Sequence, residues 1–148
     1  MNYLVSKRIP NAEALLEHCA RITMKSKSVV FRQGELSQDF YLILEGSVSV
    51  IVDDVEGPEQ EMVVSYLNPG EFFGEMGLFG EETRTANLVT RTPCVFAKIS
   101  YDDFHAIRQR YPDVLYALTS QIGQRLKIQP ANLPISRLLM FMGGSIAH

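Results

Sequence analysis

From Ser28 to Ser100 the chain is written in short apolar runs broken by glycine and proline. "SVVFRQGE", "DFYLILEGSVSVIVDD", "EMVVSYLNPGEFF" and "ANLVTRTPCVFAKIS" are rich in Val, Ile, Leu, Phe and Tyr, with breaks at Gly34, Gly46, Gly57-Pro58 and Pro69-Gly70. In "GSVSVIVDD", Val48, Val50 and Val52 alternate with Ser47, Ser49 and Ile51, which predicts a strand with one apolar face. Short strands at regular spacing predict an all-β sandwich, jelly roll or barrel. Helical periodicity flanks this region. "NAEALLEHCARI" sets Ala12, Leu15, Leu16, Cys19 and Ile22 on one stripe, with Asn11 as N-cap. "YPDVLYALTSQIGQRLKI" sets Leu115, Leu118, Ile122 and Leu126 on another, with Pro112 in its first turn and Pro130 beyond its end. This second stripe packs either on the chain's own β-core or against the same helix of a second copy, and the pattern leaves both open.

Composition narrows the class. The 148 residues make one domain, with 46% hydrophobic and 21% charged residues, as in a globular protein. A formal charge of −3 argues against broad nucleic-acid binding, which needs a basic face to displace counterions from phosphates. Cys19 and Cys94 are far apart and form no metal or redox motif, which favours a reducing compartment. "MNYLVSKRIP" lacks the apolar core of a signal peptide, and "LLMFM" is far shorter than the roughly 20 residues that cross a bilayer. The expectation is a cytoplasmic protein with no membrane contact.

One stretch stands apart from the strands: "FFGEMGLFGEETRTA", residues 72–86. Gly74 lets backbone approach a ligand closely, and "EMGLF" after it predicts a helical turn whose first N–H groups attract an anion. Arg84 offers a forked guanidinium suited to phosphate, and Thr85 a hydroxyl. Glu75 would repel a phosphate but can accept hydrogen bonds from a sugar hydroxyl beside one. Together these groups suit a sugar phosphate with a single negative charge. The plainer alternative pairs Arg84 with Glu81 or Glu82 on a solvated loop.

"GEFFGEMGLFGEETRTA" resembles the phosphate-binding cassette of the cyclic nucleotide-binding domain, in which F-G-E, a hydrophobic residue, G/A-L, a short loop and R-S/T-A surround the cyclic phosphate. Phe73, Gly74, Glu75, Met76, Gly77 and Leu78 match the first part, and Arg84, Thr85 and Ala86 the second. "FYLILEGSVSVIVDD", "FAKISYDDF", "YPDVL" and "QIGQRL" extend the likeness to the bacterial catabolite-activator branch, over roughly residues 15 to 128. The resemblance implies a mainly β fold, a β-jelly roll flanked by an N-terminal helix and a long C-terminal helix, with the cassette as a short helix inside the β region. It implies that Glu75 takes the ribose 2′-hydroxyl and Arg84 the cyclic phosphate. The backbone of Gly74, Glu75 and Met76 and the side chain of Thr85 complete the cradle, and Gly77 is implied as a further ligand-binding residue. Ser65, Tyr66 and Leu67 are implied, more weakly, as lining of the base pocket.

The likeness breaks down near the end of the chain. The activators continue into a helix-turn-helix domain, whereas this chain stops at His148, so residues 1–128 are expected to form the binding domain and 129–148 an apolar tail without DNA-binding function. The adenine-reading pair of the activators falls on Gln129 and Pro130, where only the Gln129 amide can meet a base. Thr85, where the activators carry Ser, resembles members of the wider family that accept cyclic GMP. Cyclic AMP and cyclic GMP are therefore both candidate ligands, with cyclic di-GMP a third. Catalysis is not expected, because His18, His105 and His148 all lie outside the β region and no metal-ligand cluster or nucleophile–base pair is spaced for chemistry. The resulting expectation is a cyclic-nucleotide sensor that changes conformation on binding. It would pair with a second copy through helix 112–128 and signal in trans to an unidentified protein partner. The alternatives are a fragment of a transcription regulator and a degenerate interaction module that has lost its ligand.

Overall fold

The computed structural model describes residues 3–126 apart from Pro10, Val55, Glu56 and Glu81. Gln129 and the tail 129–148 lie outside the described residues. Two short helices, α1 (Tyr3–Arg8) and α2 (Ala12–Leu16), precede eight strands. These are β1 (Ala20–Met24), β2 (Val29–Phe31), β3 (Asp39–Glu45), β4 (Val48–Asp54), β5 (Gly57–Leu67), β6 (Phe72–Phe73), β7 (Asn87–Thr90) and β8 (Cys94–Ser100). A 3-10 turn, Glu75–Phe79, follows β6, and α3 (Tyr101–Arg110) and α4 (Pro112–Leu126) close the order. The strands form two antiparallel four-stranded sheets, β1-β8-β3-β6 and β2-β7-β4-β5, which is the expected jelly-roll arrangement.

The strand β3 shows why the core has two layers. Phe40, Leu42 and Leu44 face the helices and join Val5, Leu15, Phe104, Val114 and Leu118. Tyr41 and Ile43 face inward and join Phe31, Val48, Leu67, Phe73 and Phe96. Both faces are covered, so β3 reads as a continuous apolar run rather than an alternating one. On β5, Ser65 pairs with Val50 and Val63 with Ile51, which leaves Val64 as an extra, unpaired residue in a bulge.

Two helical expectations need correction, and one helix lies outside them. The stripe drawn from Ala12 to Ile22 is cut at Leu16, because Ile22 is taken into β1 opposite Phe96. Asn11 does accept the Leu15 N–H at 3.0 Å, but at φ 58°, in the left-handed region, rather than in the extended conformation of an ordinary N-cap. Helix α3 was not anticipated, although Ser100 caps it by accepting the Asp103 N–H at 3.0 Å, with Asp102 and Asp103 in its first turn and Arg108 and Arg110 in its last. In α4, Val114, Ala117, Leu118 and Ile122 are buried in the chain's own core, so the stripe is largely consumed within one copy. Tyr116, on the other face, is 69% exposed. No described helix is long and apolar enough to cross a membrane.

Burial also makes the fold sensitive to alkaline pH. Burial first, and Asp103 second, push the Cys19 thiol from 9.0 up to about 12. Burial, followed by the Asp39 carboxylate, pushes Tyr41 from 10.0 up to about 12. Both folded-state values are raised, so the stability these groups contribute is complete below their ordinary values and is lost as pH climbs through the folded ones. The urea midpoint is expected to decline between about pH 9 and pH 12 on their account. Midpoints followed by circular dichroism across that range check this, and a flat profile would refute it.

Candidate functional site

A cleft of about 360 Å³ opens between β5 and the 3-10 turn. It is lined by Ser65 and Leu67 of β5, by Gly74, Glu75 and Met76, and by Arg84 and Thr85, so seven of the residues expected at the site converge there. Gly74 sits at φ 80°, and a Cβ on it would lie 2.9 Å from Arg84 Nη1 and 3.2 Å from the Phe31 ring. Both the backbone conformation and the close approach require glycine there. Glu75 is buried, at 6% exposure. The side chains of Ser65 and Thr85 are exposed, whereas Leu67 is buried and belongs equally to the inter-sheet core.

Arg84 is the best-held charge in the molecule's described part. It is 6% exposed and lies over the Phe31 ring, 4.1 Å from its centroid. The solvated pairing with Glu81 or Glu82 gives way to a buried one: Nη2 meets Asp39 Oδ1 at 2.7 Å. Nη1 donates to the Asp39 carbonyl at 2.7 Å, to the Gly74 carbonyl at 2.9 Å and to Ser37 Oγ at 3.0 Å. Asp39 Oδ2 is in turn 3.3 Å from Lys98 Nζ. Asp39 thus grips the end of the guanidinium fork through both Nη atoms. The remaining edge carries Nε, which is buried and has no hydrogen-bond partner among the described residues. A buried, unpaired donor on a cation is costly unless an acceptor reaches it, and a phosphate oxygen has the required charge and geometry.

A family model of the cyclic nucleotide-binding domain matches residues 21–111. The chain belongs to that family. The cAMP-activated global transcriptional regulator CRP of Salmonella typhimurium is 43% identical over 120 residues, which are 80% of this chain and 56% of the regulator. The c-di-GMP responsive global regulator CLP of Xanthomonas campestris superposes with a TM-score of 0.72 at 35% identity, over 86% of this chain and 62% of the other. The catabolite activator protein of Thermus thermophilus superposes with a TM-score of 0.73 at 29% identity, over 91% and 62%. The chain spans about half the length of the curated relatives it matches.

As a cyclic nucleotide-binding domain, the chain departs from its sequence expectations at two positions, one in the cassette and one on β5. Gly77 does not line the cleft. It backs onto the ring of Tyr101, where a Cβ would overlap the hydroxyl and lie 2.6 Å from two ring carbons. Tyr66 alternates to the opposite face of β5 from Ser65 and Leu67, is 52% exposed and stacks beneath the Arg91 guanidinium at 4.0 Å. Asp39, Ser37 and Tyr101 escaped notice in the sequence. Asp39 and Arg84 are 45 residues apart, and no local spacing links them. Among the described residues no group of three His, Cys, Asp or Glu side chains could hold a metal ion.

Proposed function

We propose that this domain is a sensor that holds one cyclic nucleotide in the cleft, with the cyclic phosphate on the Nε edge of Arg84 and the ribose 2′-hydroxyl on Glu75. The observation that carries this reading is the buried, unpartnered Nε of an arginine whose other nitrogens are already committed. Asp39 serves here to aim the cation rather than to compete for it. The volume of about 360 Å³ lies near the lower end of the roughly 300–1,000 Å³ of ligand pockets, which favours one nucleotide over a dinucleotide. Cyclic AMP is the first ligand to test, since the 43% identical relative is named for it. Thr85, at the cleft with its side chain exposed, keeps cyclic GMP a close second.

Binding is read as a population shift that repacks α3 and α4 and is signalled to a partner in the cytoplasm, without catalysis. Pairing of two copies through α4 would use the face bearing Tyr116, since Val114, Leu118 and Ile122 are spent inside one copy. The partial coverage of the relatives supports a second reading, in which this is the sensory half of a longer transcription regulator. Isothermal titration with cyclic AMP, cyclic GMP and cyclic di-GMP in parallel tests the sensor itself. Micromolar or tighter binding of one mononucleotide is expected. Absence of heat and of any thermal shift with all three would leave a ligand-free interaction module instead.

A further inference from the structure

We propose that Tyr101 is a positioning residue: from behind the cleft its hydroxyl holds the Gly74–Glu75 peptide in the orientation a phosphate oxygen needs, and so ties helix α3 to the ligand. The inference rests on the cyclic-nucleotide reading of the cleft.

Tyr101 opens α3 and is 7% exposed. Its hydroxyl donates to the Gly74 carbonyl at 2.9 Å and also hydrogen-bonds Ser37 Oγ. A phenol carries a single proton. With that proton on Gly74, Ser37 must donate to Tyr101, and Ser37 Oγ accepts from Arg84 Nη1 at 3.0 Å. The protons then run in one direction, from Arg84 to Ser37 to Tyr101 to the Gly74 carbonyl. Gly74 O also accepts directly from Arg84 Nη1, which closes the chain into a ring. Nη1 has two protons and three acceptors, the Asp39 carbonyl being the third. It cannot serve all of them fully, and Tyr101 gives Gly74 O a second donor beside Arg84 Nη1.

The consequence lies across one peptide plane. None of the described peptide bonds is cis, so the Gly74 carbonyl and the Glu75 N–H point in opposite directions. A hydroxyl that fixes the carbonyl from the α3 side fixes the direction of that N–H. An anion that accepts from Glu75 N–H polarises the same peptide and strengthens the bond from Tyr101. An anion that draws on Arg84 weakens the hold of Nη1 on Gly74 O and leaves that carbonyl more to Tyr101. Both effects tighten the same contact. Tyr101 cannot absorb the change alone, because its N–H bonds the Gln38 carbonyl at 3.2 Å and its ring stacks on Phe40 at 6.2 Å. The start of α3 must respond, and α3 shares its core with α4 through Phe104, Ile107, Val114 and Leu118.

Two chemically unlike variants test this. Tyr101→Phe removes the hydroxyl, and Gly77→Ala displaces it by the added Cβ while keeping every polar group. Each variant of the 148-residue chain is titrated with cyclic AMP and cyclic GMP, and amide hydrogen exchange of α3 is measured with and without saturating nucleotide. In the wild type the nucleotide should slow exchange in α3. In both variants binding should persist with affinity lowered roughly three- to tenfold, as for loss of one neutral hydrogen bond, and the slowing should disappear. A merely structural tyrosine would lower the melting temperature but leave the ligand-dependent slowing in place. A folded variant of either kind that retains both wild-type affinity and the slowing overturns the inference alone, as does a wild type that binds without slowing exchange in α3. A wild type that binds neither nucleotide overturns the sensor reading and this inference with it.

Discussion

Arg84→Ala is expected to weaken cyclic-nucleotide binding by about 2–4 kcal/mol, roughly 30- to 1,000-fold, because the phosphate loses the charge-assisted partner that the described lining of the cleft offers it. The loss should not be confined to binding. Arg84 donates to Ser37, Asp39 and Gly74 from a side chain with 5% exposure. Its removal strands the Asp39 carboxylate with Lys98, whose side chain is 40% exposed. A destabilisation of about 1–3 kcal/mol follows from leaving buried acceptors unserved. Arg84→Lys keeps the charge but not the fork, since an ammonium cannot grip Asp39 with one edge and offer Nε with another. It should recover part of the stability and little of the affinity. Titration and urea unfolding of both variants separate the two effects, and unchanged affinity in Arg84→Ala would sink the site assignment.

Phe40→Ala should be the most damaging single change to the fold. The ring is fully buried beside Phe72 at 5.8 Å, Phe104 at 5.1 Å and Tyr101 at 6.2 Å, where β3 meets the helical layer. Truncating a buried phenylalanine to alanine costs about 3–5 kcal/mol, through lost transfer energy and the cavity left behind. For a chain of this size the melting temperature should fall on the order of 10 °C. Because Tyr101 stacks on the same ring, any folded population should also bind nucleotide less well. A loss below about 1 kcal/mol would mean that α3 does not pack on β3 as described.

The β region and the cassette could be read in advance because their signals are local. Glycine breaks mark the strand ends, and Gly74, Glu75 and Arg84 lie within ten residues of one another. What escaped is non-local. Asp39 looks like the polar start of a buried strand, and only folding brings it to Arg84 from 45 positions away. Tyr101 looks like one more aromatic after β8, and its role depends on Gly77 lacking a side chain. Ile22 sits at helical spacing, yet pairing with Phe96 in a sheet outweighs that weak propensity. The stripe of α4 was legible, but its periodicity is the same whether the surface it meets is the chain's own or another's.

The bulge at Val64 gives this sheet a degree of freedom. Residue 64 supplies no rung to the β4–β5 ladder, yet its side chain stands at the cleft. Its identity is thus released from the pairing rules that constrain Val63 and Ser65 on either side. Mutational drift can reshape the mouth of the cleft at this position while every cross-strand partner keeps its place. Selection for a different guest would find here a route that leaves the architecture untouched.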